Sequence, residues 1–375
     1  MGFSWSSIIA RRVARNYLGE PGTDAADVVG AMCGAHAQVM SAASLSVALR
    51  LDGGTLDAVR DAVWEDRTLV KTWGPRGTVH LLPARDLGLW AGALAALPHS
   101  AVFGADVRMT PAQNAQVVAA LDDAVRSADG PLSVDELSAE VVRRTGSWAG
   151  DLVMPAFQTM WPRWRQIVGS PLTQGVLCFG APRGRKVTYT SPAVWAPGFT
   201  SWEPRAALAE LIRRYLWSYG PATPAEVARW LAAPVPFVTT VMAGLDLDRI
   251  SADAYLVAGD DAFPDSVGGL RLLPYFDAYA VGSHPRRVVF PGRAFERALA
   301  RGQAGNYPVL LIDGLVVGVW HQRRSGRRVH VTVEPLEPLS RARLSALDDE
   351  VARLGLAQAA TPTLTIGAVT VGAHA

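Results

Sequence analysis

Gly130-Pro131-Leu132-Ser133-Val134-Asp135-Glu136-Leu137 and Gly220-Pro221-Ala222-Thr223-Pro224-Ala225-Glu226-Val227 are two copies of one phrase. Each carries S/T-x-x-E ahead of an apolar run. The hydroxyl caps the N–H of the third helical residue while the glutamate reaches back to the cap residue, so each phrase predicts a helix start. A weaker cousin stands at Pro21-Gly22-Thr23-Asp24, with Asp27 in the glutamate's place. More helical sequence follows each start, and then two short β-like runs about a turn.

The first pair of runs is Leu69 to Trp73 and Thr78 to Leu82, around Gly74-Pro75-Arg76-Gly77. The second is Gly175 to Phe179 and Lys186 to Thr190, around the Gly180 to Gly184 turn. The third pairs Tyr255-Leu256-Val257 with Leu270 to Leu273 across a long polar loop. Helix, helix, hairpin is the order of a winged-helix module. Beyond residue 276, strands are expected at Val288-Val289-Phe290, Val309 to Ile312, Leu315 to Trp320, Val329 to Val333 and Leu364 to Val371. Asp313-Gly314 is a two-residue hairpin turn, and a helix is expected at about Ser340 to Leu354. The expected fold class is α+β. Winged-helix modules would span 1–125, 126–200 and 201–275, followed by a small C-terminal β-barrel over 276–375.

Composition narrows the function. The chain has 375 residues, 49% hydrophobic and 19% charged, with net charge +2, which excludes global disorder and predicts two or three domains. Two cysteines, Cys33 and Cys178, cannot build a disulfide framework or a Cys-rich zinc site, so a reducing, cytoplasmic setting is expected. The opening residues run quickly into Arg11, Arg12 and Arg15, which argues against a signal peptide, and the Met-Gly-x-x-x-Ser start is read as a chance acylation match. The apolar stretch Leu87 to Ala105 is broken by Pro98 and His99, so a buried helix is expected there rather than a membrane span. Phosphate-loop, dinucleotide, serine-hydrolase and zinc-protease motifs are missing. Histidines 36, 80, 99, 284, 321, 330 and 374 lack metal-ligand spacing, and neither a metal nor a cofactor is expected. His321 and His330 are read as facing each other across the C-terminal hairpin, in a structural or DNA-facing role.

Only Lys71 and Lys186 among 36 basic residues are lysines. Much of that bias suits a GC-rich genome, yet arginine is also the better fork for phosphate and base edges. The arginines cluster at 11, 12 and 15; at 183 and 185; at 286 and 287; and at 323, 324, 327 and 328. Local positive faces on a near-neutral protein follow.

Helical periodicity gives out at Gly34 and resumes with Ala42, Leu45 and Leu49, so His36 and Gln38 lie at a helix–helix junction. In extended backbone, residues i and i+2 point the same way. Imidazole and carboxamide would then converge on one water. From spacing alone, backbone capping at a helix end accounts for the two side chains better than a shared water does.

Ala35-His36-Ala37-Gln38, the run Trp73 to Pro83, Tyr219 to Glu226, Leu272-Leu273-Pro274-Tyr275-Phe276-Asp277-Ala278-Tyr279-Ala280-Val281-Gly282 and Val316 to Trp320 keep their order along the whole chain. Together they resemble the AlkZ-like winged-helix DNA glycosylases. The resemblance implies three winged-helix modules and a β-barrel in a C-shaped monomer that removes bulky bases alkylated at guanine N7, often as self-resistance to a genotoxin. That family's catalytic pair is usually Gln-x-Gln or Gln-x-Asp. His36-x-Gln38 is similar to the branch acting on trioxacarcin-type adducts. His36 and Gln38 become the expected catalytic residues, and Asp277 and Tyr279 are read as scaffold.

An N7-alkylated guanine is already cationic and leaves without an enzyme proton, so placing a water at C1′ is enough. Lysine scarcity favours a monofunctional enzyme, because a strand-cleaving Schiff base needs an amine; Lys71, in the first wing, is the residue to watch. Duplex DNA bearing bulky guanine adducts is the expected partner, held by phosphate contacts from Arg76, Arg183, Arg185, Arg286, Arg287, Arg323, Arg324, Arg327 and Arg328. Trp73, Trp161, Trp164, Trp217 and Trp320 are read as core. The expected location is cytoplasmic, on the nucleoid, with no membrane contact. The alternative class is a non-catalytic winged-helix transcriptional regulator, and a third is a protein–protein scaffold.

Overall fold

The computed structural model describes residues 4–98, 103–156, 159–167, 175–264 and 268–374. His99 and the Met-Gly start lie outside the described residues. Contacts divide the chain into two compact units, Met1–Leu69 with Thr78–Pro83 and Ile212–Ala375, and Val70–Gly77 with Ala84–Leu211. Among the described residues, no helix is long and apolar enough to cross a membrane.

The first unit is organised around a five-stranded sheet in the order Leu270–Leu273, Val309–Ile312, Leu315–Ser325, Arg328–Pro335, Thr361–Ile366. The first four strands run antiparallel, and the last lies parallel to Arg328–Pro335 after the crossover helix Arg341–Ala357. Asp313 and Gly314 both take positive φ, 50° and 79°, as a tight two-residue hairpin requires. One apolar cluster joins Val29, Leu45 and Val47 to Leu272, Trp320, Val331 and Leu347. A second joins Ile9, Val13, Tyr279 and Phe290 to Val316 and Val319. Alternate residues of the sheet thus feed two cores.

Several expectations are corrected here. Tyr255–Val257 pairs with Leu247–Arg249, while Leu270–Leu273 joins Val309–Ile312, whose fully apolar face offers it more burial. The sheet is open: among the described residues no ladder joins Leu270–Leu273 to Thr361–Ile366. The helix Arg341–Ala357 packs on both edge strands, so its Leu347, Val351 and Leu354 bury apolar surface that barrel closure would otherwise have to cover. Val288-Val289-Phe290 is not a strand, because the helical turn Arg286–Val289 sits between Pro285 and Pro291. The amides of Val288 and Phe290 are satisfied locally by Pro285 and Arg286 carbonyls. The last strand is Thr361–Ile366 rather than Leu364 to Val371. His321 lies opposite Thr332, and His330 opposite Arg323, so the two histidines do not face each other. His330 Nδ1 instead lies 2.7 Å from Thr363 Oγ1.

The second unit holds the helices Pro111–Ser127 and Val134–Thr145 and a three-stranded sheet ordered Leu132–Ser133, Lys186–Thr190, Cys178–Arg183. Ser133 and Glu136 form the expected reciprocal cap, as do Thr223 and Glu226 in the first unit. Thr110 and Gln113 form another that the repeat does not reveal. At the weaker cousin, Asp24 is the cap, accepting from the Asp27 amide at 2.7 Å. Trp73 and Trp164 are buried here, and Trp320 in the first unit, while Trp161 and Trp217 are exposed, each with an arginine over its ring: Arg165 at 3.9 Å and Arg15 at 4.7 Å.

Candidate active site at the Ala35–Gln38 junction

The helix Ala25–Ala31 ends through Cys33 and Gly34, whose φ values are 55° and 96°. The Gly34 amide closes the helix onto Val29 O at 2.9 Å. A Cβ on Gly34 would stand 2.9 Å from Leu82 Cδ2 and 3.3 Å from His80 Cδ2, so glycine is needed both for the turn and for close approach. The chain then enters the strand Ala35–His36, antiparallel to Val79–Pro83, with His36 directly opposite His80. The Ala37 amide continues the ladder to Val79 O at 2.7 Å. Ala35 and Ala37 are buried, His36 is half-buried and Gln38 is exposed. That alternation follows the two-residue period of extended backbone, although the strand itself ends at His36 and the His36 Nε2 is buried. Val39 then takes the N-cap position of the helix Met40–Ala48, without a side-chain hydrogen bond.

The His36 ring is held on two sides. It stacks on His80 with centroids 5.1 Å apart and an interplanar angle of 22°, and it meets Phe276 edge-on at 4.7 Å. His80 is buried, and its Nδ1 lies 2.9 Å from Thr78 O. A carbonyl only accepts, so Nδ1 carries the proton and the His80 ring is fixed. Neither His80 nor Phe276 stands out from spacing. The cross-strand register brings one to His36 and a distant loop brings the other; the signal available was their place in the two motifs flanking the junction.

Asp277, next to Phe276, is fully buried and takes both Arg50 Nη atoms at 2.7 and 2.8 Å, with Ser46 Oγ donating at 2.6 Å. Its Oδ1 also accepts from the Tyr279 amide at 2.9 Å, starting the helix Ala278–Gly282. Tyr279 is buried and donates to Gly314 O at 2.8 Å, and burial pushes its phenol up out of the accessible range.

The arginine clusters differ in their surroundings. Arg323, Arg324, Arg327 and Arg328 are all exposed around the Ser325-Gly326 turn. Arg185 is exposed, and Arg183 is also exposed but ion-paired with Glu136. Arg76 takes positive φ, 61°, between Pro75 and Gly77. Arg287 is exposed and lies over Phe295 at 4.6 Å, whereas Arg286 is half-buried and donates to the Ala280, Val281 and Ser283 carbonyls. The cluster at 11, 12 and 15 is not a positive face. Arg11 and Arg12 are buried, and Arg11 and Arg15 pair with Asp260. The helix is buried continuously from Ile8 to Val13, so the first two point inward, to carbonyls of Ala262, Pro221 and His284. Lys71 is half-buried, its Nζ 5.1 Å over the Phe179 ring, and burial lowers its amine from the usual lysine range. Among the described residues, no group of three His, Cys, Asp or Glu side chains is arranged to hold a metal ion.

Comparison with known proteins bears on this geometry. The family described as DNA glycosylase AlkZ-like matches residues 29–356. The chain is similar to an interstrand DNA cross-link repair glycosylase from Streptomyces sahachiroi, 30% identical over 95% of this chain and 97% of that protein. It is also similar to the solved structure of the Streptomyces sahachiroi DNA glycosylase AlkZ, with a TM-score of 0.79 and 31% identity over 98% of this chain and 100% of that one. With a mixed α+β fold matching over nearly its full length, the chain belongs to the AlkZ-like family of DNA glycosylases.

Proposed function

We propose that this glycosylase is monofunctional and excises bulky N7-alkylguanine adducts, trioxacarcin-type adducts foremost, from duplex DNA as self-resistance to a genotoxin. The observation that supports this reading is the burial alternation at 35–38, where half-buried His36 and exposed Gln38 alternate with buried Ala35 and Ala37. Gln38 orients a water and offers its carbonyl dipole to the oxocarbenium-like sugar. The water oxygen bonds to C1′ as the C1′–N9 bond breaks. The bonding pair neutralises the cationic guanine, and the water's proton passes to His36. A pair this weak acts on activated bases and leaves ordinary nucleotides alone.

In this reading the chain works as a monomer on the nucleoid, with its helix–helix–hairpin segments serving as winged-helix modules. Phosphate contacts come from Arg323, Arg324, Arg327 and Arg328, with Arg76, Arg183, Arg185 and Arg287 in support; Arg286 holds the fold. The test incubates the protein with duplexes carrying a trioxacarcin-type N7-guanine adduct or an interstrand cross-link, the latter because the Streptomyces relative is named for cross-link repair. Alkali-labile abasic sites are expected on the monoadduct, with DNA binding retained and excision lost in His36→Ala with Gln38→Ala. Full activity in that double variant overturns the mechanism, and preference for the cross-link overturns the substrate class.

A further inference from the structure

Phe276 takes φ 56°, in the left-handed region, where a bulky side chain is costly and glycine or asparagine would be easier. The conformation is enforced on both sides. The Phe276 amide donates to Gly305 O at 2.8 Å, and a Cβ on Gly305 would stand 3.2 Å from Phe276 Cα. On the other side, Asp277 is locked by the buried Arg50 pair and by its cap on the next helix. The ring so presented joins neither apolar core. It is half-buried and reaches His36 at 4.7 Å, with Tyr275 and His374 packed about it at 6.4 and 5.4 Å. Backbone strain maintained for a ring outside the core calls for a use.

We propose that Phe276 is a positioning residue: its ring edge, together with the His80 face, confines the His36 imidazole to one rotamer aimed at the water shared with Gln38. The proposal rests on the reading of His36 as catalytic. The Arg50–Asp277 pair is the anchor that keeps Phe276 in place.

Phe276→Gly removes the ring while suiting the backbone angle, and Phe276→Tyr keeps the edge contact. Single-turnover excision should fall on the order of 10²-fold in Phe276→Gly, the scale of a misplaced catalytic group. Binding of adducted DNA should be unchanged, and Phe276→Tyr should restore most of the rate. Three-bond couplings of the His36 side chain, measured on the free protein, should change from a single rotamer to an average in Phe276→Gly. A wild-type rate in Phe276→Gly overturns the proposal, and so does a His36 ring that keeps its single rotamer there. Should the wild-type protein excise no adduct, the functional reading fails, while the coupling measurement still decides whether Phe276 positions His36.

Discussion

Arg12 and Arg50 lie sealed inside the first unit, whereas Arg323, Arg324, Arg327 and Arg328 crowd an exposed turn. The interior guanidiniums donate to buried acceptors: Arg12 to the Pro221 and His284 carbonyls at 3.0 and 2.5 Å, and Arg50 as a fork onto Asp277 and to Asn16 O. At the turn, Arg324 Nε donates to Gly326 O within the turn itself at 3.1 Å. One residue type thus acts as internal scaffold and as an outward-facing cation, and its clustering in sequence does not distinguish the two uses. Arg183 sits between them, exposed yet ion-paired with Glu136.

The largest contrast should come from Arg50→Met. It leaves the Asp277 carboxylate buried without its partner and should cost about 3–5 kcal/mol of unfolding free energy, read by denaturant titration. A loss under about 1 kcal/mol would mean that the pair is solvated.

Next comes acid sensitivity in the same region. His284 is buried, and burial, followed by Arg286, Arg229 and Arg12, depresses its imidazole from 6.5 to about 3. A depressed folded value favours the neutral ring, so this contribution is complete above about pH 6.5 and is lost as pH falls toward 3. The loss across that window should be at most about 4–5 kcal/mol, and His284→Leu should flatten it.

Changing all four turn arginines to glutamine should leave stability within about 0.5 kcal/mol. The same change should lower the salt slope of duplex binding by roughly 3 to 4. An unchanged slope would remove the turn from the DNA contact. The smallest effect concerns Glu136, held at about 2 by the Ser133 backbone amide first and then by Arg183. Its stabilising contribution is present above the ordinary glutamate range and disappears as pH falls through about 2. Glu136→Gln should shift the acid-unfolding midpoint slightly, and Arg183→Gln should shift it less.

Legibility in the sequence followed the range of the interactions. The caps at Ser133 and Thr223 and the Asp313-Gly314 turn are local, set by spacing and short-range bonds. Register across distant chain was not legible. Nothing in Leu247-Asp248-Arg249 marks it as the partner of Tyr255–Val257, and Leu270–Leu273 has the same apolar character whether it closes a wing or enters the large sheet. His80 and Phe276 reach His36 only through such pairings, and the inward turn of Arg11 and Arg12 depends on carbonyls hundreds of residues away.

The parallel strand Thr361–Ile366 runs beside Arg328 to Val333, whereas Val309–Ile312 accompanies the other arm of the hairpin only as far as Val319. One arm is therefore braced along its length up to the turn, and the opposite arm overhangs only beyond the Gln322–Gln358 side-chain bond. Such a cantilever bends far more easily toward its unbraced side. In the proposed DNA complex, the four guanidiniums at its end would follow the curvature of a distorted duplex while the root of the hairpin stayed in place.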